Sequence, residues 1–261
     1  MRTPRLAGIG LATLATAAFA LAGCGDNGDP ATPAASGSAA PTATGSADPA
    51  AVAKLSAAAA QLDNTSFTLD ATSGSGFKLT ASIDAPGSKG SAQLTASGSN
   101  AEINIKTLLI GQDLYAQVPG ITKAGTWTHV DGSRLPAGVN IGLKPGAIDP
   151  IDTGQLISAT TDVKATSDTN FSGAVDLSKA AGLAGLGVAG SAAASAATTQ
   201  TVPFTATLDD QGRLSTLTIE LPQSEPLQVT YANYGRPVDV TAPAASSVTE
   251  APDSFYSSLG A

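Results

Sequence analysis

Cys24 is the one side chain in this sequence placed for covalent chemistry. It is the only cysteine among 261 residues, and it closes the run Leu21-Ala22-Gly23-Cys24. Arg2 and Arg5 precede an uncharged, largely apolar stretch from Leu6 to Ala22, the layout of a bacterial secretory signal. Leu-Ala-Gly-Cys reads as a lipobox. In that chemistry the cysteine sulfur takes a diacylglycerol through a thioether, the signal is cut before Cys24, and the freed amine becomes open to acylation. A plain signal peptide would need a small-x-small cleavage site and no cysteine. An uncleaved spanning helix would want about 20 apolar residues, whereas this stretch has 17 and carries Gly8, Gly10, Thr13 and Thr16. Buried methylenes contribute about 0.8 kcal/mol each, and two chains suffice for stable anchoring. The sequence therefore predicts a protein held by Cys24 on the extracytoplasmic face of the cell membrane.

Other reactive residue types are few and scattered. A serine–histidine arrangement could use only His129, which sits in the alternating run Thr126-Trp127-Thr128-His129-Val130 and reads as a solvent-facing strand residue. Zinc needs three or four Cys, His or carboxylate ligands at close spacing, and one histidine with one acylated cysteine cannot supply them. Asp209-Asp210 precedes Gln211-Gly212 and reads as turn chemistry. Asp152 and Asp176 read as helix caps. No Gly-rich phosphate loop follows a strand. The expectation is a non-enzymatic chain with no catalytic residues, metal or cofactor.

Composition points the same way. With 13 basic and 21 acidic residues the formal charge is −8, and losing Arg2 and Arg5 with the signal leaves 11 basic residues against 21 acidic. An acidic chain without basic runs argues against nucleic acid as a partner. No intramolecular disulfide is possible, so an exported domain must rest on its core. Aromatics are 4% of the chain, and that core is expected from Leu, Ile, Val and Ala.

Four segments follow from the patterning. Residues 1–23 are the signal peptide. Residues 24–48 hold the lipidated cysteine and a Gly/Ala/Ser/Thr/Pro-rich stretch that cannot bury enough surface to fold, hence a flexible tether. Residues 49–243 form the domain, and 244–261 a C-terminal tail expected to fray, with Phe255 and Tyr256 able to dock. Asp48-Pro49 starts a helix over roughly 49–63, with Val52, Leu55, Ala59 and Leu62 at helical spacing. Apolar residues then alternate with polar ones from Phe67 to Val118, broken by Gly74-Ser75-Gly76 and Pro86-Gly87-Ser88, which predicts an antiparallel meander. Residues 119–150 read as an irregular connection. Beyond it lie a short helix at 153–158, strands at 161–164 and 171–175, a helix from Asp176 through Leu186, and a mobile loop at 187–199. A last β-layer runs through Phe204–Leu208, Leu217–Leu221, Leu227–Tyr231 and Val238–Val240. Leu214, out of phase with Leu217, predicts a bulge.

Several runs resemble the LppX/LprG-type lipoproteins of actinobacteria. These are the helix before Ser66-Phe67-Thr68-Leu69, Leu114-Tyr115-Ala116 followed by Gly125-Thr126-Trp127, Phe171-Ser172-Gly173-Ala174-Val175, Val202-Pro203-Phe204, Gly212-Arg213-Leu214 and Tyr234-Gly235-Arg236-Pro237-Val238. The resemblance spans the lipobox and roughly 49–243. It implies a single α+β domain whose bent antiparallel sheet forms a half-barrel, with helices on the concave face enclosing a hydrophobic cavity. It also implies a monomer that binds long-chain acylated lipids or glycolipids and assists their transfer through the envelope, with an envelope transporter as a possible partner. Phe67, Leu69, Phe77, Leu79, Ile103, Ile105, Leu114 and Val118 are the residues expected to line the cavity. The alternative is an accessory lipoprotein without a lipid cavity that acts through an envelope protein partner.

Overall fold

Asp48 starts the fold twice over. Its carboxylate accepts from the Ala50 amide at 2.9 Å, capping α1 (Pro49–Ala60), and its own amide donates to Val163 O at 2.8 Å. Pro49 takes the first helical position, where a missing N–H costs nothing. The computed structural model describes residues 47–97, 102–135, 142–180, 201–222 and 224–258, all within one unit, Thr44–Ala261. Cys24, the tether, the loop at 187–199 and the helical continuation to Leu186 lie outside the described residues.

α1 gives way to a 3₁₀ turn, Gln61–Asn64, before the expected end at 63. Its buried stripe is Ala51, Leu55, Ala58 and Ala59, continued by Leu62. Val52, expected on that face, is 36% exposed. One residue along a helix turns a side chain by about 100°, and Ala51, four before Leu55, takes the inward place instead.

The strands are β1 (Ser66–Ser73), β2 (Phe77–Asp84), β3 (Lys89–Ser97), β4 (Glu102–Ile110), β5 (Asp113–Gln117) and β6 (Trp127–Val130). After α2 (Thr153–Ser158) come β7 (Thr160–Ala165), β8 (Asn170–Asp176), β9 (Thr201–Leu208), β10 (Leu214–Ile219), β11 (Leu227–Ala232) and β12 (Val248–Glu250). They form one open, bent sheet in the order β12-β6-β5-β4-β3-β2-β1-β11-β10-β9-β8-β7. Two antiparallel meanders, β1–β6 and β7–β11, meet where β1 pairs β11. β12 on β6 is the parallel pair.

Period-two alternation decides which face is covered. In β1, Phe67, Leu69 and Ala71 are buried, and their partners across β2 are Ile83, Ala81 and Leu79. These residues join Leu55 and Leu62 in one apolar cluster. In β4 the inward residues are Ile103, Ile105, Thr107 and Leu109, so Leu108 and Ile110 fall on the outer face although apolar.

Two bulges adjust the second meander. The register between β9 and β10 shifts between Leu214 and Thr216, where the phase break at Leu214 predicts a bulge. A second shift lies in β7 between Thr161 and Lys164, where Asp162 adopts φ 53°. This brings β7 backbone against Gly173 of β8. A Cβ there would lie 2.8 Å from both Thr161 O and Phe204 Cε1.

Two features differ from the sequence reading. Val238–Val240 form no strand, although Val238 is buried. The chain leaves the sheet at Asn233 (φ 56°) and Gly235 (φ 72°), and the Gly235 amide donates to Ser66 O at 2.8 Å. The C-terminal segment is no frayed tail through 258. β12 adds a twelfth strand and α3 (Asp253–Ser258) follows it. Phe255 and Tyr256 are the residues that dock, at 2% and 4% exposure. Arg134 holds the segment from outside. Its Nη2 donates to Asp253 Oδ1 at 2.7 Å, and its guanidinium lies 4.0 Å from the Tyr256 ring centroid. The Tyr256 hydroxyl accepts from the Asp131 amide at 2.9 Å.

Candidate functional site

The seam between α1 and the sheet opens at one end. Leu62, Ala59 and Leu109 form apolar walls there, and Ile148 and Asp149 come from the segment before α2. The resulting cleft has a volume of about 380 Å³, inside the range of about 300–1,000 Å³ usual for small-molecule sites. Asp63, Asp152, Ser88 and Gln112 stand at the same opening, so the cleft shows more polar than apolar surface, with Leu62 and Leu109 buried at its inner edge.

The segment beside the cleft is fixed by one carboxylate. Asp149 accepts from the Ile151 amide at 3.1 Å and the Thr153 amide at 2.9 Å, which ties the turn to the start of α2. The Thr153 side chain also donates to Asp149. Thr153 Oγ1 and the Tyr231 hydroxyl share a hydrogen bond at 2.9 Å. A relay Tyr231–Thr153–Asp149 thus links the sheet to α2 beneath the cleft. Burial pushes the Asp149 pKa above its ordinary value, against these hydrogen bonds, which lower it. Burial also raises Tyr231 well above 10, with the Asp149 charge adding to it. Asp149 was not singled out from the sequence. A carboxylate three before the cap Asp152, ahead of a short helix, was the available signal, but nothing in sequence brings Tyr231 to it.

None of the eight residues expected to line a cavity borders this cleft. Phe67, Leu69, Leu79 and Leu114 are at most 1% exposed, so each meets protein on every side. Phe77 and Val118 are nearly as buried. Ile105 is half-buried, and Ile103 is 46% exposed at the start of β4, so it lines no enclosed space. All seven strand residues among the eight do share the inward face.

His129 lies on the outer face, between two carboxylates. Nδ1 is 3.0 Å from Glu250 Oε2, Nε2 is 3.2 Å from Asp113 Oδ1, and the ring lies 5.3 Å from that of Tyr115. The Glu250 hydrogen bond, with Asp113 adding to it, outweighs desolvation and raises the His129 pKa above 6.5. Asp209 does turn chemistry. It accepts from the Gln211 and Arg213 amides, both at 2.9 Å, and from Arg213 Nε at 2.7 Å. Asp152 caps α2 and Asp176 caps the turn Leu177–Lys179. Among the described residues no cluster of three or more His, Cys, Asp or Glu could hold a metal ion, and no helix is long and apolar enough to cross a membrane.

Comparison of the chain with protein-family models finds no match, and comparison with curated proteins finds none either.

Proposed function

We propose that this chain is a membrane-tethered lipoprotein that takes acylated lipid between its helical layer and its sheet and assists lipid transfer through the envelope, as its resemblance to the LppX/LprG type implies. The observation that carries the reading is the cleft at the seam, which reaches Leu62 and Leu109 at the edge of the buried layer between α1 and the sheet. The inward face of α1 supports it. Ala51, Ala58 and Ala59 flank Leu55, so within α1 only one large side chain keys the helix into the sheet. An acyl chain would enter at the seam and part the layers. The polar opening would keep a polar headgroup outside. Cys24 would hold the domain beside the membrane from which it loads.

Ala147 is exposed and lines the cleft, so Ala147→Trp fills the mouth without touching the core. Uptake of a fluorescent long-chain fatty acid should fall in this variant with its melting temperature unchanged. Equal uptake by variant and parent would place any lipid elsewhere.

A second reading is favoured by the closed packing of Leu69, Leu79 and Leu114. It is an accessory lipoprotein with a filled core that acts through an envelope protein. It predicts no uptake by either protein.

A further inference from the structure

The face of the sheet turned away from α1 carries a groove of its own, of about 520 Å³. Its floor is built from two cross-strand rows. Thr68, Ser82, Ser91 and Leu108 are successive partners across β1–β4, and the row continues to Tyr115 and His129. Two residues along each strand, Asp70, Thr80, Gln93 and Lys106 form the second row. Trp127 of β6 stands on one side and Asn233, just after β11, on the other.

Three properties set this groove apart from an ordinary wet sheet face. Its hydrogen-bonding groups are largely uncommitted, since Thr80, Ser82, Ser91 and Gln93 make no side-chain hydrogen bond to another described residue. One border is fixed, because Asn233 Nδ2 donates to Thr68 Oγ1 at 3.1 Å, leaving the Asn233 amide oxygen as an acceptor. The charge is balanced, with Asp70 against Lys106, on a chain whose formal charge is −8. A phosphate or carboxylate ligand would want more cations than one, and a cationic ligand more anions.

Hydroxyl and amide groups repeat at the strand spacing of about 4.8 Å, comparable to the advance from one pyranose ring to the next, and Trp127 and Leu108 offer apolar surface beside them. We propose that this groove binds a neutral oligosaccharide laid across β1–β4, its hydroxyls bonded by Gln93, Thr80 and Asn233 and one ring resting on Trp127. The site is on the opposite face from the seam cleft and works independently of it.

Trp127 is the only tryptophan, so intrinsic emission reports the groove directly. The full chain in detergent would be titrated with maltotetraose, mannotetraose and an N-acetylglucosamine tetramer, and in a second arm with vesicles carrying a neutral glycolipid or phosphatidylcholine alone. We expect a saturable emission change with at least one free oligosaccharide or with the glycolipid vesicles, the arms showing whether the saccharide is free or a headgroup. Gln93→Ala, at an exposed position, should weaken the response about tenfold, the loss of one or two hydrogen bonds, while Ala147→Trp, read by saccharide NMR line broadening, should leave binding intact. The proposal is overturned if no free saccharide gives a saturable change and glycolipid and phosphatidylcholine vesicles respond equally, or if Gln93→Ala leaves the response unaltered.

Discussion

Glu250 and His129 are direct partners across the parallel β12–β6 pair, and the glutamate carboxylate closes to 3.0 Å from the histidine Nδ1. Asp113, from β5, takes the other ring nitrogen at 3.2 Å. One imidazole therefore bridges three strands and carries an ion pair to β12. Main-chain pairing supports it through the Ala251 amide, which donates to His129 O at 2.9 Å.

Docking of the C-terminal segment should therefore depend on pH. The folded-state pKa of His129 is raised above 6.5, so its contribution is fully present below 6.5 and is lost as pH rises through the higher folded value. The pair is partly exposed, and the effect should be no more than about 1 kcal/mol. Hydrogen exchange over residues 248–258 should quicken as pH rises above 6.5, beyond the intrinsic rate, and His129→Gln should abolish that extra dependence. Exchange that tracks the intrinsic rate in both proteins would show that the ion pair does not hold the strand.

The β9–β10 turn should respond in the opposite direction. Burial raises the Asp209 pKa, but hydrogen bonds from the Arg213 side chain and from the Arg213 and Gln211 amides outweigh it, and the net shift is downward. Its stabilisation is present above 3.8 and is lost as pH falls through the folded value. Asp209→Ala should cost about 1–3 kcal/mol in urea unfolding, because it strands these donors. It should also free Arg213, which now lies 4.6 Å from the Tyr234 ring centroid. A loss within error of zero would show that the donors find water at no cost.

Gly173 is required by close approach, not by its backbone angle. Ala at this position would meet Thr161 O and Phe204 Cε1 at 2.8 Å, and carbonyl backbone at a bulge has little room to retreat. Gly173→Ala should destabilise the fold by about 1–3 kcal/mol, measured by thermal unfolding. An unchanged melting temperature would mean that the bulge relaxes freely.

What could be read from sequence was what local periodicity controls. Alternation placed Phe67, Leu69, Phe77 and Leu79 on one face, Asp48-Pro49 marked the start of α1, and Leu214 betrayed its bulge. Long-range pairing was not legible. Nothing local tells Val248–Glu250 to run parallel beside β6, where the segment is joined by the buried Phe255 and Tyr256 and by contacts to Arg134 and His129, far off in the chain. The same holds at the cleft, where Asp149 matters because Tyr231, far along the chain, lies against Thr153. Apolar alternation marked the inward face correctly but carried no information on how completely that face is filled.

The central claim is that acylated lipid enters between α1 and the sheet. The most direct measurement is native mass spectrometry of the full chain and its Ala147→Trp variant, both purified in a non-acylating detergent from a host rich in long-chain envelope lipids. The proposal predicts long-chain lipid adducts on the parent, beyond the mass of the Cys24 modification, and their loss in the variant. Ligand-free parent protein that also takes up no offered lipid would contradict it and favour the filled-core accessory reading.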